Sequence, residues 1–526
     1  MPKRKNYVSL MAKSALIAGL GIASIADASI RYAWVQLVPT DSHTENVYTA
    51  NAQIRAIVNS GDKCEDVQLV GEGNFPTMVK REKPKEGFFN HIDVCDALLT
   101  KKHISKPQNI FVSMGEKKIS LRVPNISSAI PLNQLIVLGD TGCRYDDKYQ
   151  HCLKVSDWPF EQIIDNAVTR IKKNDDPPII LHVGDYRYSE SNLAKPIIDS
   201  FRKWGGWNTE FFHPARELLN KGAWIFLRGN HEQCLKLDKP KIHKHVGNGF
   251  LYFFGSSDLN KEQERCKAIE KLYGHDTFPT YAIDFKPSPD SNSLRIVAMD
   301  LVHKVLDKYM KKEGYQEFAK SELSKYTNMF NGLEEVLNDR VPSIIISHIG
   351  LFDTKKNTTP DHIILDALSY SKLVDGKKLI ENVPLVISGH VHDLQLVDPN
   401  LKTQALNGHS FKRPKQYIIG NGGALLSDDN INEVLDIKWK AFTKDSNDDI
   451  NYVEKWAVQR KKAFGYMVVD VDTAKDSYTA QFTNYFFDKE SQKFSVGDNS
   501  NCSLEVPNGN DMLKEPLTLE CAGLAK

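Results

Sequence analysis

The chain has 526 residues, which is enough for two or three domains. Its 68 basic and 67 acidic residues leave a net charge of +1, without the strong basic bias that is typical of proteins that bind nucleic acid. Beyond the N-terminal segment, no stretch reaches the ~18 consecutive apolar residues of a membrane-spanning helix. We therefore expect neither nucleic-acid binding nor a stable membrane span.

Residues 1–28 predict a secretory signal peptide. Lys3, Arg4 and Lys5 precede an apolar run over 15–26, and Ala26-Asp27-Ala28 supplies the small residues of a cleavage site. The apolar run is short for a membrane span, although a retained N-terminal anchor is the alternative. We therefore expect a secreted or periplasmic protein.

The segment 29–130 predicts a β-rich accessory domain, whose partner the sequence does not identify. Short runs with β-forming residues alternate with polar turns, at Arg31–Val38, Asn109–Ser113 and Lys118–Val123. A second, larger domain is predicted over 131–490, and 491–526 is predicted as a C-terminal tail. In the second domain, 466–471 and 478–486 are predicted strands that pack on its sheet.

Five short motifs in the second domain each follow an apolar run. The runs over 134–138, 179–183, 224–227, 344–346 and 385–387 are typical of strands buried on both faces. Helical patterns between them, such as 163–171 and 361–380, predict a layered α/β domain with all five motifs at one rim. The motifs are Gly139-Asp140-Thr141-Gly142, Gly184-Asp185-Tyr186-Arg187-Tyr188, Gly229-Asn230-His231-Glu232, Ile345-Ile346-Ser347-His348 and Gly389-His390-Val391-His392.

These motifs carry the ligands of two metal ions. Two carboxylates, a phenol, an amide and three imidazoles suffice to hold a metal pair about 3.5–4 Å apart, an arrangement that attacks phosphate esters. Carboxylates and a phenolate suit a hard ion, whereas imidazoles suit zinc, iron or manganese. Because the chain has no Cys-x-x-Cys pair, a thiolate zinc site has no support.

The eight cysteines are even in number, and export would make disulfides plausible. Eight cysteines allow about 105 connectivities. Among these, proximity along the chain favours Cys64–Cys95, Cys143–Cys152, Cys234–Cys266 and Cys502–Cys521.

On these motifs the chain resembles the calcineurin-like metallophosphoesterase superfamily and, more narrowly, the purple acid phosphatases. Two details favour the narrower resemblance. Gly142 stands where most of the superfamily has a metal-binding histidine, and Tyr188 stands at the position of the iron-binding tyrosinate. The resemblance spans roughly 133–425, and it implies a layered α/β/β/α metallophosphoesterase sandwich with the β-rich region as an N-terminal accessory domain.

Position by position, the resemblance implies an Fe(III) ion and a second divalent metal ion, which would be iron, zinc or manganese. His231 would bind no metal and would instead face the substrate, where it would either hydrogen-bond a phosphate oxygen or protonate the leaving group. Asp185 would bridge the two ions. The remaining ligands would be Asp140, Tyr188 and His392 for Fe(III), and Asn230, His348 and His390 for the divalent ion.

Other polar residues near the motifs have simpler interpretations. His182 lies inside a predicted strand and is interpreted as a core histidine. Arg144 and Arg187 are equally compatible with phosphate binding and with solvated charges at the rim. The residues after His348 lack the proline and aromatic residue of the family, which leaves the substrate contacts on that side open.

The resulting prediction is an exported, dinuclear-metal acid phosphatase. It would hydrolyse phosphate monoesters of small molecules or proteins by direct attack of metal-bound hydroxide on phosphorus, without a phosphoenzyme. One alternative is a metal-dependent phosphodiesterase that acts on nucleotides or phospholipids. The other is a non-catalytic exported binding protein, against which His231 argues because a structural metal site needs no additional imidazole.

Overall fold

A computed structural model of the chain describes residues 29–521 apart from several gaps. The predicted signal peptide lies outside the described residues, as does nearly all of the helix predicted over 361–380. The gaps are 41–47, 86–88, 127–128, 145–149, 189–203, 235–239, 274–276, 303–314, 338–340, 353–363, 365–366, 369–382, 403–412, 427–429, 442–449, 475, 498–500 and 509–516.

Strands dominate the described structure. In chain order they are β1 Ile30–Pro39, β2 Ala50–Asn59, β3 Gln68–Val70, β4 Val79–Lys80, β5 Ile92–Leu99, β6 Gln108–Met114, β7 Lys117–Val123, β8 Ile130–Pro131, β9 Gln134–Leu138, β10 Ile179–His182, β11 Ala223–Phe226, β12 Tyr281–Lys286, β13 Leu294–Met299, β14 Ser343–Ser347, β15 Leu385–Ser388, β16 Leu394–Lys402, β17 Lys415–Ile419, β18 Ile431–Ala441, β19 Ile450–Lys461, β20 Phe464–Thr473, β21 Ser477–Phe487, β22 Phe494–Val496, β23 Cys502–Pro507 and β24 Leu519–Cys521.

Helices connect or cover these strands. They are α1 Phe160–Thr169, α2 Trp204–Trp207, α3 His213–Leu219, α4 Pro240–Phe254, α5 Arg265–Tyr273 and α6 Tyr315–Val336. A π-helical turn, Asn208–Phe212, joins α2 to α3, and short 3-10 turns lie at Cys64–Asp66 and Ser257–Leu259. Within the described ranges, none of these helices is both long and apolar enough to cross a membrane.

Two large mixed sheets form the centre of the molecule. Within the described residues the larger sheet has 12 strands in the order β24-β23-β21-β20-β9-β10-β11-β1-β2-β5-β4, with β22 beside β21. The second sheet has nine strands in the order β18-β19-β16-β17-β15-β14-β13-β12-β8. A small sheet, β3-β6-β7, lies apart from both.

Apolar side chains cover both faces of the two large sheets, as the sequence predicts. Along β9, Leu135 and Val137 point into the layer that also contains Ile346 of the second sheet, whereas Ile136 points into a layer with α1, α3 and α4. Phe330 of α6 packs in a third layer on the outer face of the second sheet. The predicted α/β/β/α sandwich is therefore confirmed, because each strand face has its own apolar partner layer.

The N-terminal β-rich region joins the larger sheet directly. β1 pairs in parallel with β11, with Val35 opposite Ala223, and β2, β5 and β4 continue the sheet outward. The sheet thus crosses the boundary predicted near residue 130. The physical reason is that β1 has an apolar face matching the inter-sheet core, so pairing with β11 buries it.

The four predicted disulfides, Cys64–Cys95, Cys143–Cys152, Cys234–Cys266 and Cys502–Cys521, are all present. The last of them joins β23 to β24, and these two strands extend the larger sheet from β21. Part of the segment predicted as a C-terminal tail is therefore ordered as sheet.

Candidate metal centre

The five motifs follow strands whose carboxyl ends lie at one edge of the sandwich. β9, β10 and β11 are parallel neighbours in the larger sheet, and β14 and β15 are parallel neighbours in the second sheet. Parallel strands bring the residues after their carboxyl ends together. The observed ends of these strands lie within one residue of the predicted ones. Contacts between motif residues of the two sheets, Tyr188 with His392 and Asn230 with His348, confirm the predicted convergence at one rim.

The backbone is in the left-handed region at three of the predicted ligands. Asp140, Asp185 and His390 have φ angles of 53°, 57° and 72°. Such angles are uncommon for residues other than glycine and cost on the order of 1 kcal/mol or more each. Each of the three follows a glycine, and at Gly389 a Cβ atom would lie only 2.5 Å from Asp140 Oδ2. Strained turns of this kind concentrate at functional sites.

The first group of candidate ligand atoms surrounds the phenol of Tyr188. Its hydroxyl lies 2.6 Å from Asp140 Oδ1, 2.8 Å from Asp185 Oδ2 and 3.0 Å from His392 Nε2. The ring of His392 donates from Nδ1 to the Leu425 carbonyl at 3.0 Å, which directs Nε2 at the group. One phenolic proton thus faces three acceptor atoms, an arrangement that suits a cation.

The second group surrounds the amide of Asn230. Its Oδ1 lies 2.9 Å from His348 Nε2 and 2.8 Å from His390 Nδ1. His348 Nε2 is also 3.3 Å from Asp185 Oδ2, while its Nδ1 donates to the Val183 carbonyl at 2.8 Å. Asp185 belongs to both groups, so the two sites share one carboxylate.

The carboxylates, the phenol and the imidazoles of this rim shift one another's pKa values. Burial raises the pKa of Asp140 to about 7, against the lowering effect of His348. Burial also opposes the charged form of Asp185, but His348 and His231 outweigh it and hold the pKa of Asp185 well below its usual range. The pKa of Tyr188 is raised well above its usual value by burial and then by the two carboxylates.

These titration properties fit the residues to metal ions. Two buried carboxylates side by side disfavour double ionisation unless a positive charge lies between them. Two groups of carboxylate and imidazole atoms each lie within 4.8 Å of one another: Asp185 with His348 and His390, and Asp140 with Asp185 and His392. The donor set of oxygens and imidazole nitrogens is one that iron, zinc and manganese accept.

His231 is positioned beside these groups without entering either. Its backbone N–H donates to Asp185 Oδ1 at 2.9 Å, and its ring centroid lies 4.4 Å from that of Tyr188. The side chain is half-buried, whereas Tyr188 is buried. The imidazole therefore lies at the boundary between the buried ligands and the open face.

Glu232 is a site residue to which sequence reasoning assigned no role. Its buried carboxylate accepts backbone N–H groups from Asp185 and Gly229 at Oε2, both at 3.0 Å, and from Tyr186 and Arg187 at Oε1, at 3.0 and 3.3 Å. One carboxylate thus joins the second and third motif loops. The sequence feature that could have identified Glu232 is its position directly after His231 in the third motif.

The structure separates the other polar residues near the motifs. His182 is a buried core histidine, as predicted: it accepts from the Gly184 N–H at 3.2 Å and lies 2.9 Å from the Thr141 hydroxyl. Burial holds its pKa well below the usual value. Arg187 is only 1% exposed and lies 3.7 Å from Glu210, so it is not a solvated rim charge. Arg144 remains half-buried beside the first motif.

Comparison with known proteins agrees with this geometry. Residues 134–394 match the family model of the calcineurin-like phosphoesterases. This part of the chain is a calcineurin-like phosphoesterase domain. The match supports phosphoesterase activity, and the family implies a dinuclear metal site, for which the two groups of carboxylates and imidazoles provide ligands.

A solved structure is also similar to this chain. It is the purple acid phosphatase PPD1 isolated from yellow lupin (Lupinus luteus) seeds, with 13% sequence identity and a TM-score of 0.48. The similarity covers 92% of this chain and 76% of the lupin chain. No curated protein matches the sequence.

Proposed function

We propose that the chain is an exported phosphatase of the purple acid phosphatase type, which hydrolyses phosphate monoesters. The observation that carries the proposal is the position of Tyr188, whose hydroxyl contacts Asp140, Asp185 and His392. A phenolate among these ligands favours a hard, trivalent ion. Phosphoesterase activity itself is supported by the family match.

The packing around Gly142 supports the same interpretation. A Cβ atom at Gly142 would lie 2.6 Å from the Tyr186 carbonyl oxygen and 2.8 Å from the Arg187 nitrogen. No side chain fits there, so a histidine ligand cannot come from this position without a backbone shift. Tyr188 reaches the same group of ligands from the neighbouring loop, and the two features therefore belong to one arrangement.

The proposed ligand assignment follows the two groups. Asp185 is shared, and the other ligands are Asp140, Tyr188 and His392 for Fe(III), and Asn230, His348 and His390 for a divalent iron, zinc or manganese ion. When bound, such a metal pair lowers the pKa of water and neutralises charge on a phosphoryl group.

His231 is proposed as the residue that protonates the departing oxygen. Its half-buried ring lies beside Tyr188, and imidazole is the side chain that most often transfers protons in enzymes. The backbone N–H of His231 donates to Asp185 Oδ1, so the same residue also orients the shared carboxylate. A non-catalytic binding protein would have no use for an imidazole at this boundary.

Export is proposed from the cysteines together with the N-terminal segment. All eight cysteines form disulfides, which persist in oxidising compartments. The segment 1–28 has the charge and apolar pattern of a signal peptide.

The test is hydrolysis of 4-nitrophenyl phosphate beside bis(4-nitrophenyl) phosphate, by the mature chain loaded with iron and zinc. We expect strong preference for the monoester, together with a visible tyrosinate-to-iron absorption band that Tyr188→Phe removes. Preference for the diester would move the enzyme to the phosphodiesterase alternative. The absence of hydrolysis with both metals bound would refute the catalytic proposal.

His231→Ala provides the control for catalysis. It should keep both metals and the absorption band but lose about 10²–10⁴-fold in kcat, the usual contribution of a general acid. Loss of metal in this variant would instead assign His231 to the ligand set.

A further inference from the structure

A cavity of about 290 Å³ lies at the same rim as the metal ligands and takes no part in the site described above. We call it the side cavity. It is enclosed by the ends of β1 and β2, the residues after β11 and β13, the start of β12 and the C-terminal end of α4. Tyr273 and Asp258 line it and are exposed, so the cavity opens to solvent.

The side cavity and the metal ligands are built on neighbouring segments. Arg228 lines the cavity and lies two residues before Asn230. Asp300 also lines it and follows β13, whose parallel neighbour β14 leads into His348. Adjacent strands are about 4.8 Å apart, so the cavity begins roughly one strand spacing from the loops that carry Asn230 and His348.

Four buried polar residues of the lining, Gln36, Gln53, Arg228 and Asp300, are already paired. The Arg228 guanidinium lies 2.6 Å from Asp300 Oδ2, which also accepts the Phe278 backbone N–H at 2.8 Å. Gln36 Nε2 donates to Gln53 Oε1 at 2.7 Å and to the Phe254 carbonyl at 2.9 Å. A ligand would therefore gain little from replacing these bonds.

What the side cavity offers instead is aromatic surface. Six of its lining residues have aromatic side chains: Phe226, Phe250, Phe254, Tyr273, Phe278 and Tyr281. Aromatic groups favour offset-stacked or edge-to-face contacts with other rings. A buried apolar cavity of about 150 Å³ accommodates benzene, so a volume of about 290 Å³ admits one or two fused rings.

We infer that the side cavity binds the organic group of the substrate and that the preferred substrates are aryl phosphate monoesters. This inference rests on the proposed function, because it places the phosphoryl group at the metal ligands and the aromatic ring in the adjoining cavity. A lining with six aromatic side chains favours leaving groups that carry an aromatic ring over strongly polar ones such as sugars.

The first experiment measures the binding of an aromatic alcohol in the side cavity, without any hydrolysis. 1-Naphthol is titrated calorimetrically into the full mature chain, into Val38→Trp, which narrows the cavity, and into Phe278→Ala, which removes part of its aromatic wall. Both variants should weaken binding by about tenfold, the loss expected for an aromatic contact. Val496→Trp is the matched control, because Val496 is 46% exposed and is not part of the lining.

The second experiment measures preference during hydrolysis. The ratio of kcat/KM for 1-naphthyl phosphate to kcat/KM for methyl phosphate should fall about tenfold in both cavity variants, chiefly through KM for the naphthyl ester, and should stay constant in Val496→Trp. Circular dichroism and metal content establish that each variant is folded and loaded. One variant narrows the cavity and the other enlarges it, so the result does not depend on the folding of a single variant.

The outcomes separate this inference from the proposed function. Monoester hydrolysis with no naphthol binding, or with an unchanged preference ratio in both variants, would overturn the cavity inference alone. Naphthol binding that both variants weaken, without hydrolysis of either ester, would overturn the phosphatase proposal and the substrate assignment with it. Weakened binding together with a lowered ratio supports the inference.

Discussion

Two buried polar clusters in this molecule resolve their charge in opposite ways. At the rim, Asp140 and Asp185 lie against the phenol of Tyr188, and the positive charge that faces them is that of an imidazole, His348, which is itself a candidate metal ligand. In the second cluster, which we call the arginine cluster, Arg55 and Arg81 surround Asp96. The rim suits a metal ion, whereas the arginine cluster supplies its own counter-charges.

The arginine cluster connects the N-terminal strands to α4. Arg55 lies 3.1 Å from Asp96 and also donates to the Phe253 carbonyl, while Arg81 donates to the carbonyls of Leu251 and Tyr252 at 2.9 Å each. These carbonyls belong to the last turn of α4, where backbone carbonyls run short of helical N–H partners, although that of Leu251 also accepts the Gly255 N–H at 3.1 Å. The two guanidiniums thus cap the C-terminal end of α4, where positive charge is favourable.

The difference teaches how function and stability are separated in one fold. A buried charge costs several kcal/mol unless it is paired. In the arginine cluster the Asp96 carboxylate is paired with two guanidiniums, and Ser257 and Asn260 donate to its Oδ2 at 2.8 and 2.7 Å, so the cluster has a structural role. At the rim the carboxylates face a phenol and imidazoles instead of guanidiniums, and this set of side chains is able to hold a metal ion.

Removing the shared carboxylate should have the largest effect. Asp185→Asn takes away the group common to both sets of ligands, and we expect hydrolysis to fall by more than about 100-fold, beyond the loss usual for residues that only support a ligand. Metal content by atomic emission should fall from two ions toward one or none. Two retained ions with full activity would contradict the shared role of Asp185.

Glu232→Gln should have the next largest effect. The amide nitrogen would face two of the backbone N–H groups that the carboxylate accepts, so the Asp185 turn should loosen. We expect a loss of about 10–100-fold in metal affinity, with kcat recovering as metal is added. Glu217→Gln on α3 is the control, since Glu217 is 56% exposed. A kcat loss that excess metal does not relieve would argue against a positioning role.

A substitution in the arginine cluster should lower the free energy of unfolding and leave the catalytic activity unchanged. Asp96→Asn leaves the two guanidiniums with less counter-charge, and breaking a buried pair costs about 3–5 kcal/mol of unfolding free energy. Urea unfolding measures the change. Activity per folded molecule should stay close to that of the native chain, because Asp96 is held by Arg55, Arg81, Ser257 and Asn260, which are not rim ligands. A loss of activity per folded molecule as large as the loss of stability would contradict the separate roles of the two clusters.

The smallest expected effect is a pH dependence of the difference in unfolding free energy between the native chain and Asp96→Asn. Burial opposes the charge of Asp96, but Arg55 and Arg81 outweigh it and lower its pKa in the folded chain. A depressed folded pKa contributes stability above the unfolded value of about 3.9, and this contribution is lost as pH falls through the folded pKa. The stability gap between native chain and Asp96→Asn should therefore be constant from pH 7 to 5 and shrink below about pH 4. A gap that grows on acidification would reverse the assigned sign.

Local features of the sequence were sufficient to predict the rim. The strands before Asp140, Asp185 and His348 end within one residue of their predicted ends, because apolar runs followed by glycine or a polar turn are encoded over a few residues. All four disulfides also follow from proximity along the chain. The layered fold is confirmed for the same reason, since it follows from the alternation of buried strands and helices.

Contacts between distant segments were not predictable in this way. The pairing of β1 with β11 joins residues almost 190 positions apart, and Arg55 reaches Phe253 across a similar separation. Nothing in the local pattern of either segment identifies its partner. The four backbone contacts of Glu232 and the side cavity are of the same kind, because they exist only once loops from different strands share one edge.

The sequence by itself determined the identity of the metal-ligand candidates, the order of their motifs and the strands that present them, since these depend on residue chemistry and short-range periodicity. The tertiary structure alone decided that Tyr188 meets two carboxylates and an imidazole, that Gly142 has no room for a side chain, and that the N-terminal strands extend the larger sheet. Those outcomes depend on packing in three dimensions, where a shift of one or two ångströms decides whether atoms meet.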